Sequence, residues 1–289
     1  MPEGHSLRRL ALAFEDSFVG HSCELSSPQG RFTAGAQLLS GRRMTRAESV
    51  GKHLFLGFED AVAPLWLHTH LGLYGAWRFS GAQADTIGAP RVTSEETPAA
   101  GEAPPPRGAV RVRILTDTAV ADLSGPNTCE VLSDDEKARL VAKLGPDPLG
   151  EDARSPAVRN EFVQLVRGSG RPVGDLVMDQ SISAGVGNIY RAEALFREGI
   201  SPRRAGRRVS AARLGRLWDT FVTLLERGVE EGKINTVEPE DQLFSEADPE
   251  ASHWYVYHRT GRPCLKCGTP IREADMKGRR LFWCPTCQT

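Results

Sequence analysis

Four of the six cysteines fall as Cys264-x2-Cys267 and Cys284-x2-Cys287, with sixteen residues between the pairs. Thiolates in two such knuckles are the donor set of tetrahedral zinc. "CGTP" and "CPTC" supply the glycine and proline that knuckle turns need. Four sulfurs close the coordination sphere, so the Zn2+ they imply is a structural staple. Two disulfides are the other reading, disfavoured in a chain without a secretory signal pattern. Between the knuckles, "MKGRRLFWC" places Lys277, Arg279 and Arg280 around a hairpin turn. Such a tip reaches phosphates or a groove, or is an ordinary basic turn. Cys23 and Cys129 stand outside the pattern and read as small buried hydrophobes.

Two further stretches carry potential chemistry. In "SISAGVGNIYRAEALF", Gly185 and Gly187 precede Asn188 at the start of a helix. Small residues there let a ligand approach the backbone, and the helix N-terminus favours an anion. Asn188 either donates to a phosphate or caps the helix. No Gly-Lys-Ser/Thr follows, which weighs against a nucleotide P-loop. The opening "MPEGH" puts Pro2 and Glu3 at a position that suits a helix start, with proline first and an acid in the first turn. The alternative is a reactive N-terminus.

The elements that would position these groups change character along the chain. Leu7, Leu10, Ala11, Phe14 and Phe18 recur at helical spacing. After Gly20, the stretches "RFTAG", "HLFLGFE", "PLWLHTHLGLYGAWRF", "AVRVRILT" and "AVADL" read as short strands, the pattern of a sandwich or barrel-like β domain. Residues 81–108 are rich in Pro, Ala and Glu and read as a mobile loop between two strands. From about 131 the period becomes helical: "DDEKARLVAKL", "SPAVRNEFVQLVRG", "PVGDLVMDQ", "NIYRAEALFREG" and "SAARLGRLWDTFVTLLERGVEEG". Ser155-Pro156 marks one helix start, and Gly199 and Gly228 suit helix ends. An acidic, irregular stretch, 235–252, leads to the cysteines.

With 289 residues, 40% hydrophobic and 25% charged, the chain has area for more than one core. No run is long enough to span a membrane, and a cytoplasmic monomer is expected. A net charge of -1 weighs against a nucleic-acid partner. The distribution weighs the other way. Eight arginines lie between 191 and 216, and the last 29 residues hold six bases against two acids. Phosphate attraction is local under physiological screening, so a basic half can hold a polyanion. Solvated helix faces are the alternative.

Together and in this order, "PEG", "GKHLFLGF", "HLGLYGAW", "SAGVGNIYRAEALFREGISP", "YVYHRTGRPCLKCGTPI" and "KGRRLFWCPTCQ" resemble the formamidopyrimidine-DNA glycosylase / endonuclease VIII family over essentially the whole chain. "PEGH" and "LYG" after "HLG" look closer to the endonuclease VIII branch. The resemblance implies an α+β multidomain fold: an N-terminal helix plus β-sandwich (1–130), a helix–two-turn–helix DNA-binding domain (131–252) and a C-terminal zinc β-hairpin (253–289). It implies a bifunctional DNA glycosylase and AP lyase of base excision repair. Pro2, after loss of Met1, would be the nucleophile, Glu3 the proton-transfer group and Lys52 a phosphate-holding cation. Asn188 and Arg279 would clamp flanking phosphates, and Leu73 and Tyr74 would wedge into the space left by an everted base. The last two could instead be core residues.

The oxidised-guanine branch carries a second wedge loop with adjacent arginines and a phenylalanine. The comparable "ADLSGPNTCEVL" has none, which favours oxidised pyrimidines, in double- or single-stranded damaged DNA. A second hypothesis is a catalytically silent zinc protein that binds damaged or abasic DNA. A third is a zinc-hairpin RNA- or protein-binding module.

Overall fold

The computed structural model describes residues 2–81, 86–88, 104–243 and 247–289. The chain divides into two compact units, Met1–Lys143 and Leu144–Thr289.

The first unit opens with α1 (Gly4–Ser17) and continues with β1 (Glu24–Ser26), α2 (Thr33–Leu39), β2 (Met44–Val50), β3 (His53–Phe58) and β4 (Leu65–His70). There follow β5 (Ala76–Gly81), β6 (Thr86–Gly88), β7 (Val110–Leu115), β8 (Ala119–Ser124), β9 (Thr128–Leu132) and α3 (Asp134–Val141). Nine strands form two antiparallel sheets, ordered β1-β7-β8-β5-β6 and β2-β3-β4-β9. The apolar stripe of α1 joins both inner faces in one core. At its centre Phe14 meets Trp77 edge-on, with ring centroids 4.9 Å apart. Such a pair adds about 0.5–1.5 kcal/mol to the area it buries.

Three expectations change here. "RFTAG" is not a strand: residues from Thr33 onward form α2, whose Ala36 and Leu39 are buried one turn apart. Its helix formers follow a short strand-like run that tertiary burial overrides. Pro2 is not the first helical residue. Glu3 is the N-cap in extended conformation (φ -123°, ψ 178°), the helix starts at Gly4, and Pro2 lies before it. Within 81–108, β6 pairs with β5; residues 82–85 and 89–103 lie outside the described residues. Strands β1, β2 and β9 carry no clear strand signal in the sequence, because they mix polar and apolar residues with little alternation.

The second unit contains α4 (Pro156–Arg167), α5 (Val173–Leu176), α6 (Asn188–Arg197), α7 (Ala211–Glu231), β10 (Arg272–Met276) and β11 (Arg279–Trp283). Ser155 caps α4 by accepting from the Val158 N–H. "PVGDLVMDQ" yields only the single turn of α5. Gly228 lies inside α7 and does not end it; Gly232, with φ +72°, holds the left-handed C-terminal position. Phe162, Trp218, Phe221 and Tyr190 anchor the helical core. A second cluster joins Ala192 and Phe196 of α6 to Tyr255, Val256, Ile271, Phe282, Cys264 and Cys284. The cysteine hairpin is thus welded to α6. No helix among the described residues is long and apolar enough to cross a membrane.

Candidate functional site

In the first unit Pro2 is buried, and Glu3 is wholly so. The Glu3 side chain does not cap α1, although its backbone carbonyl accepts the first helical bond from Ser6 N–H at 2.9 Å. Lys52 sits in the two-residue turn between the paired Val50 and His53. Gly51, at φ +58°, is the other turn residue, the glycine-first arrangement of a II′ hairpin. Leu73 and Tyr74 occupy the β4–β5 connection. A Cβ at Gly75 would come within 2.4 Å of the Leu71 carbonyl oxygen, and Gly72 has φ +65°. The tight turn therefore requires both glycines and turns the pair outward: Leu73 is 51% and Tyr74 82% exposed. That excludes the core reading for both.

A cluster absent from the sequence reading lies beside Lys52. His53 Nδ1 and His68 Nε2 are 2.8 Å apart, and His68 Nδ1 is 2.9 Å from Glu130 Oε1. The His53 ring also lies 5.1 Å from that of His70. Burial pushes His53 down to about 3, with His68, His70 and Lys52 adding to the shift. His68 and His70 are lowered too, chiefly by burial. Burial likewise pushes His5 down to about 4, with Arg9 contributing.

These rings carry a prediction. In the unfolded chain each takes a proton near about pH 6.5, so below that value the unfolded state binds more protons than the folded one. Their contribution is fully present above about pH 6.5 and is lost as the pH falls toward the folded values. The urea midpoint of the protein is expected to drop steadily from about pH 6.5 to about pH 4. A midpoint flat across that window would show that the rings charge freely in the folded state.

In the second unit Asn188 is the first residue of α6, and the N-cap is Gly187. The capping reading of Asn188 therefore fails. Its side chain turns to the hairpin instead, where Nδ2 donates to the Arg280 carbonyl at 3.0 Å. Arg191 donates to that same carbonyl at 2.8 Å and to Asn188 Oδ1. In the sequence Arg191 is one of a basic run; in the fold it is 1% exposed. The loop before α6 is stapled by Gln180, which accepts from Gly185 N–H and donates to the Val186 carbonyl.

The hairpin turn is Lys277-Gly278, with φ +52° and +73°. Positive φ at both central residues is the type I′ geometry that suits the twist of two strands. The three bases do not act alike. Lys277 pairs with Asp175 at 3.2 Å, and Arg280 grips Glu273 through two nitrogens. Arg279, exposed, begins β11 and precedes the residue whose carbonyl is anchored. Asn188 and the hairpin tip are thus brought together by hydrogen bonds.

Glu193, also missed, ties α6 to the chain entering the hairpin. It is fully buried and accepts from the N–H groups of Tyr255, Val256 and Tyr257 and from the Thr236 hydroxyl. Burial pushes its carboxyl up against the pull of those four donors.

The four cysteine sulfurs lie within 4.8 Å of one another. Cys264 and Cys287 Sγ are 3.8 Å apart, and Cys267 and Cys284 Sγ 3.5 Å. Zinc–sulfur bonds of about 2.3 Å at tetrahedral angles require sulfurs about 3.8 Å apart. The donor set fits zinc, and Cys264, Cys267, Cys284 and Cys287 form a zinc-finger cluster. Cys23 is buried as expected and Cys129 only partly so; their thiols are pushed up to about 11 and about 12, in each case chiefly by burial.

With this geometry established, the comparisons with known proteins are consistent along the chain. Residues 1–126 match the formamidopyrimidine-DNA glycosylase N-terminal domain, 144–239 its H2TH domain, and 261–289 the zinc finger found in FPG and IleRS. Endonuclease 8 1 of Mycobacterium tuberculosis is 42% identical over 290 residues, covering 100% of both chains. MutM (Fpg) of Thermus thermophilus superposes with a TM-score of 0.73 at 26% identity, covering 99% of this chain and 98% of that one. Lactococcus lactis Fpg, solved with abasic-site DNA, has the same fold, with a TM-score of 0.74 at 21% identity and 99% of each chain covered.

Proposed function

The chain belongs to the formamidopyrimidine-DNA glycosylase / endonuclease VIII family, and from that membership as a DNA glycosylase and AP lyase we propose that it excises oxidised pyrimidines and cleaves the resulting abasic site through Pro2. The α-amine of Pro2, exposed by loss of Met1, is a secondary amine; α-amines ordinarily titrate near ~8, far below lysine side chains. Its lone pair attacks the sugar C1′, and the C1′–N bond to the damaged base breaks. Loss of the ring oxygen–C1′ bond then gives an iminium ion, which is positive without an added proton. That charge drains electrons from the sugar, so that the 3′ phosphate leaves by β-elimination and the 5′ phosphate by δ-elimination.

Glu3 supplies the proton to the sugar ring oxygen or the departing base, and Lys52 holds the phosphate beside the lesion. Asn188 and Arg279 grip flanking phosphates of a kinked strand, because C1′ is inaccessible until the nucleotide is everted. Leu73 and Tyr74 fill the vacated stack as an apolar wedge. Zinc, held by the four cysteines, supplies folding energy to the hairpin and takes no part in the reaction.

The observation that carries the reading is Glu3: a carboxylate at an N-cap, wholly buried, whose side chain is not spent on capping. A caps-only role would aim that carboxylate at the helix N–H groups. Incubating the protein with an abasic-site duplex and borohydride is expected to trap a covalent adduct. A set of duplex and single-stranded oligonucleotides carrying one lesion each is expected to show cleavage strongest at oxidised pyrimidines. Absence of the adduct, with Pro2 shown to be the first residue, would overturn the lyase chemistry. Preference for oxidised guanine would overturn the substrate assignment.

A further inference from the structure

Leu54, Leu56, Phe58 and Leu67 belong to the core of the first unit. Strand alternation therefore sends His53, Phe55 and Gly57 of β3 to the opposite face of the β2-β3-β4-β9 sheet. Their register partners are His70, His68 and Trp66 of β4, and His68 is in turn paired with Glu130 of β9. Stacking along this face is continuous: the Phe55 and His68 ring centroids are 4.9 Å apart, and those of His53 and His68 5.1 Å.

The hydrogen bonds have one direction. A carboxylate only accepts, so His68 Nδ1–H donates to Glu130. The Nε2 of a neutral His68 then has only a lone pair, and it must accept from His53 Nδ1–H. This in turn leaves the Nε2 of His53 as an acceptor. Burial keeps both rings neutral; at His53 the neighbouring His68, His70 and Lys52 add to the lowering, whereas at His68 the Glu130 carboxylate pulls the other way and burial outweighs it. His53 follows Lys52 directly, at the end of the hairpin whose turn Lys52 occupies. The Lys52 charge is close enough to depress both His53 and His70.

We propose that Glu130, His68 and His53 form a positioning relay for Lys52, which locks His53 as the neutral Nδ1–H tautomer and so presents an acceptor, not a second positive charge, beside the lysine. The inference rests on the phosphate-holding role of Lys52 proposed above. A protonated His53 would repel the ammonium and displace the hairpin end; the other tautomer would offer it a donor. Among the described residues, the charged and titratable groups on this face are Lys52, His70 and Glu130, with Glu48 of β2 and Lys137 of α3 paired to each other. Asp134 of α3 accepts the Trp66 indole N–H, and Arg46 lies opposite Gly57, toward the far end.

The test has a spectroscopic and a kinetic arm. In protein labelled with 15N-histidine, His53 is expected to stay in the neutral Nδ1–H form from about pH 8 to about pH 5. His68→Phe keeps a ring between Phe55 and His53 but removes both nitrogens. It is expected to slow single-turnover adduct trapping about tenfold, with abasic-duplex affinity within about twofold. Glu130→Gln, which keeps an acceptor oxygen, is expected to retain most of the rate, and Glu130→Ala to lose it. In a Lys52→Met background His68→Phe is expected to add less than about a twofold loss, because its effect passes through the lysine. A His53 ring found as the Nε2–H tautomer or charged at neutral pH overturns the relay, whatever the variants do. A His68→Phe loss that multiplies undiminished onto Lys52→Met reduces it to a packing role. A Lys52→Met protein with unchanged trapping overturns the lysine assignment itself, leaving the NMR result to report on the hydrogen-bond chain alone.

Discussion

Pro2→Gly is expected to lower borohydride trapping of an abasic-site duplex by about a hundredfold or more, equivalent to ~2.7 kcal/mol of lost transition-state stabilisation. Affinity for the same duplex is expected to change by less than about threefold, since the residues of the proposed clamp are untouched. The chemical reason is that a secondary amine gives an iminium that is charged without a proton, whereas glycine's primary amine gives an imine that must acquire one. The structural reason is adjacent. Glu3 is extended, and the residue before it is fixed by the pyrrolidine ring. Glycine there releases the backbone and spreads the amine over many orientations. A chain that retains Met1 has an acylated proline nitrogen and is expected to trap nothing, so N-terminal mass must accompany the assay. Equal trapping by a correctly processed Pro2→Gly chain would place the nucleophile elsewhere.

Removal of zinc is the second large effect. Cys264 and Cys284 are buried within the cluster that holds Ile271, Phe282, Tyr255 and Val256 against α6. Without the metal the sulfurs lose the bonds that justify their burial, and zinc sites of this kind contribute about 10–16 kcal/mol in isolated fingers. Cys284→Ala is expected to abolish bound zinc and unfold the hairpin. The α4–α7 core, built from Phe162, Trp218 and Phe221, does not include the knuckles and is expected to keep its helicity. Affinity for abasic DNA is expected to fall more than about tenfold at constant salt, through loss of Arg279 and the surface that Asn188 rests on. Metal analysis, far-UV circular dichroism and salt-titrated fluorescence anisotropy read the three parts. Full affinity in a zinc-free chain would remove the hairpin from the proposed clamp.

The parts legible in the sequence were those whose spacing is itself the signal. Two C-x2-C pairs, the stripe of Leu7, Leu10 and Phe14, and Ser155-Pro156 needed no partner to be read. What stayed hidden depends on distant chain. Burial of Ala36 and Leu39 turns a strand-like run into α2. Gly228 has the same local character as Gly232, but only the latter takes positive φ, because packing carries α7 one turn further. Asn188 reads from its neighbours as a cap, and its actual acceptor lies 92 residues away. The histidines show the limit most clearly. His68 and His70 alternate visibly, but their pairing with His53 and Glu130 requires the register of three strands. Arg191 and Glu193 look like surface charges on an amphipathic helix until the hairpin covers them.

The Arg280 carbonyl accepts from both Asn188 and Arg191. A carbonyl oxygen has two lone pairs, and here each meets one donor. On the proposed clamp, an Asn188 amide that turned to a phosphate would leave the Arg280 carbonyl still holding the Arg191 guanidinium. The hairpin would keep that anchor, so the proposed engagement of DNA would not loosen the element that presents Arg279. Arg191 would thus hold the carbonyl that Asn188 gave up, at the cost of its own bond to Asn188 Oδ1.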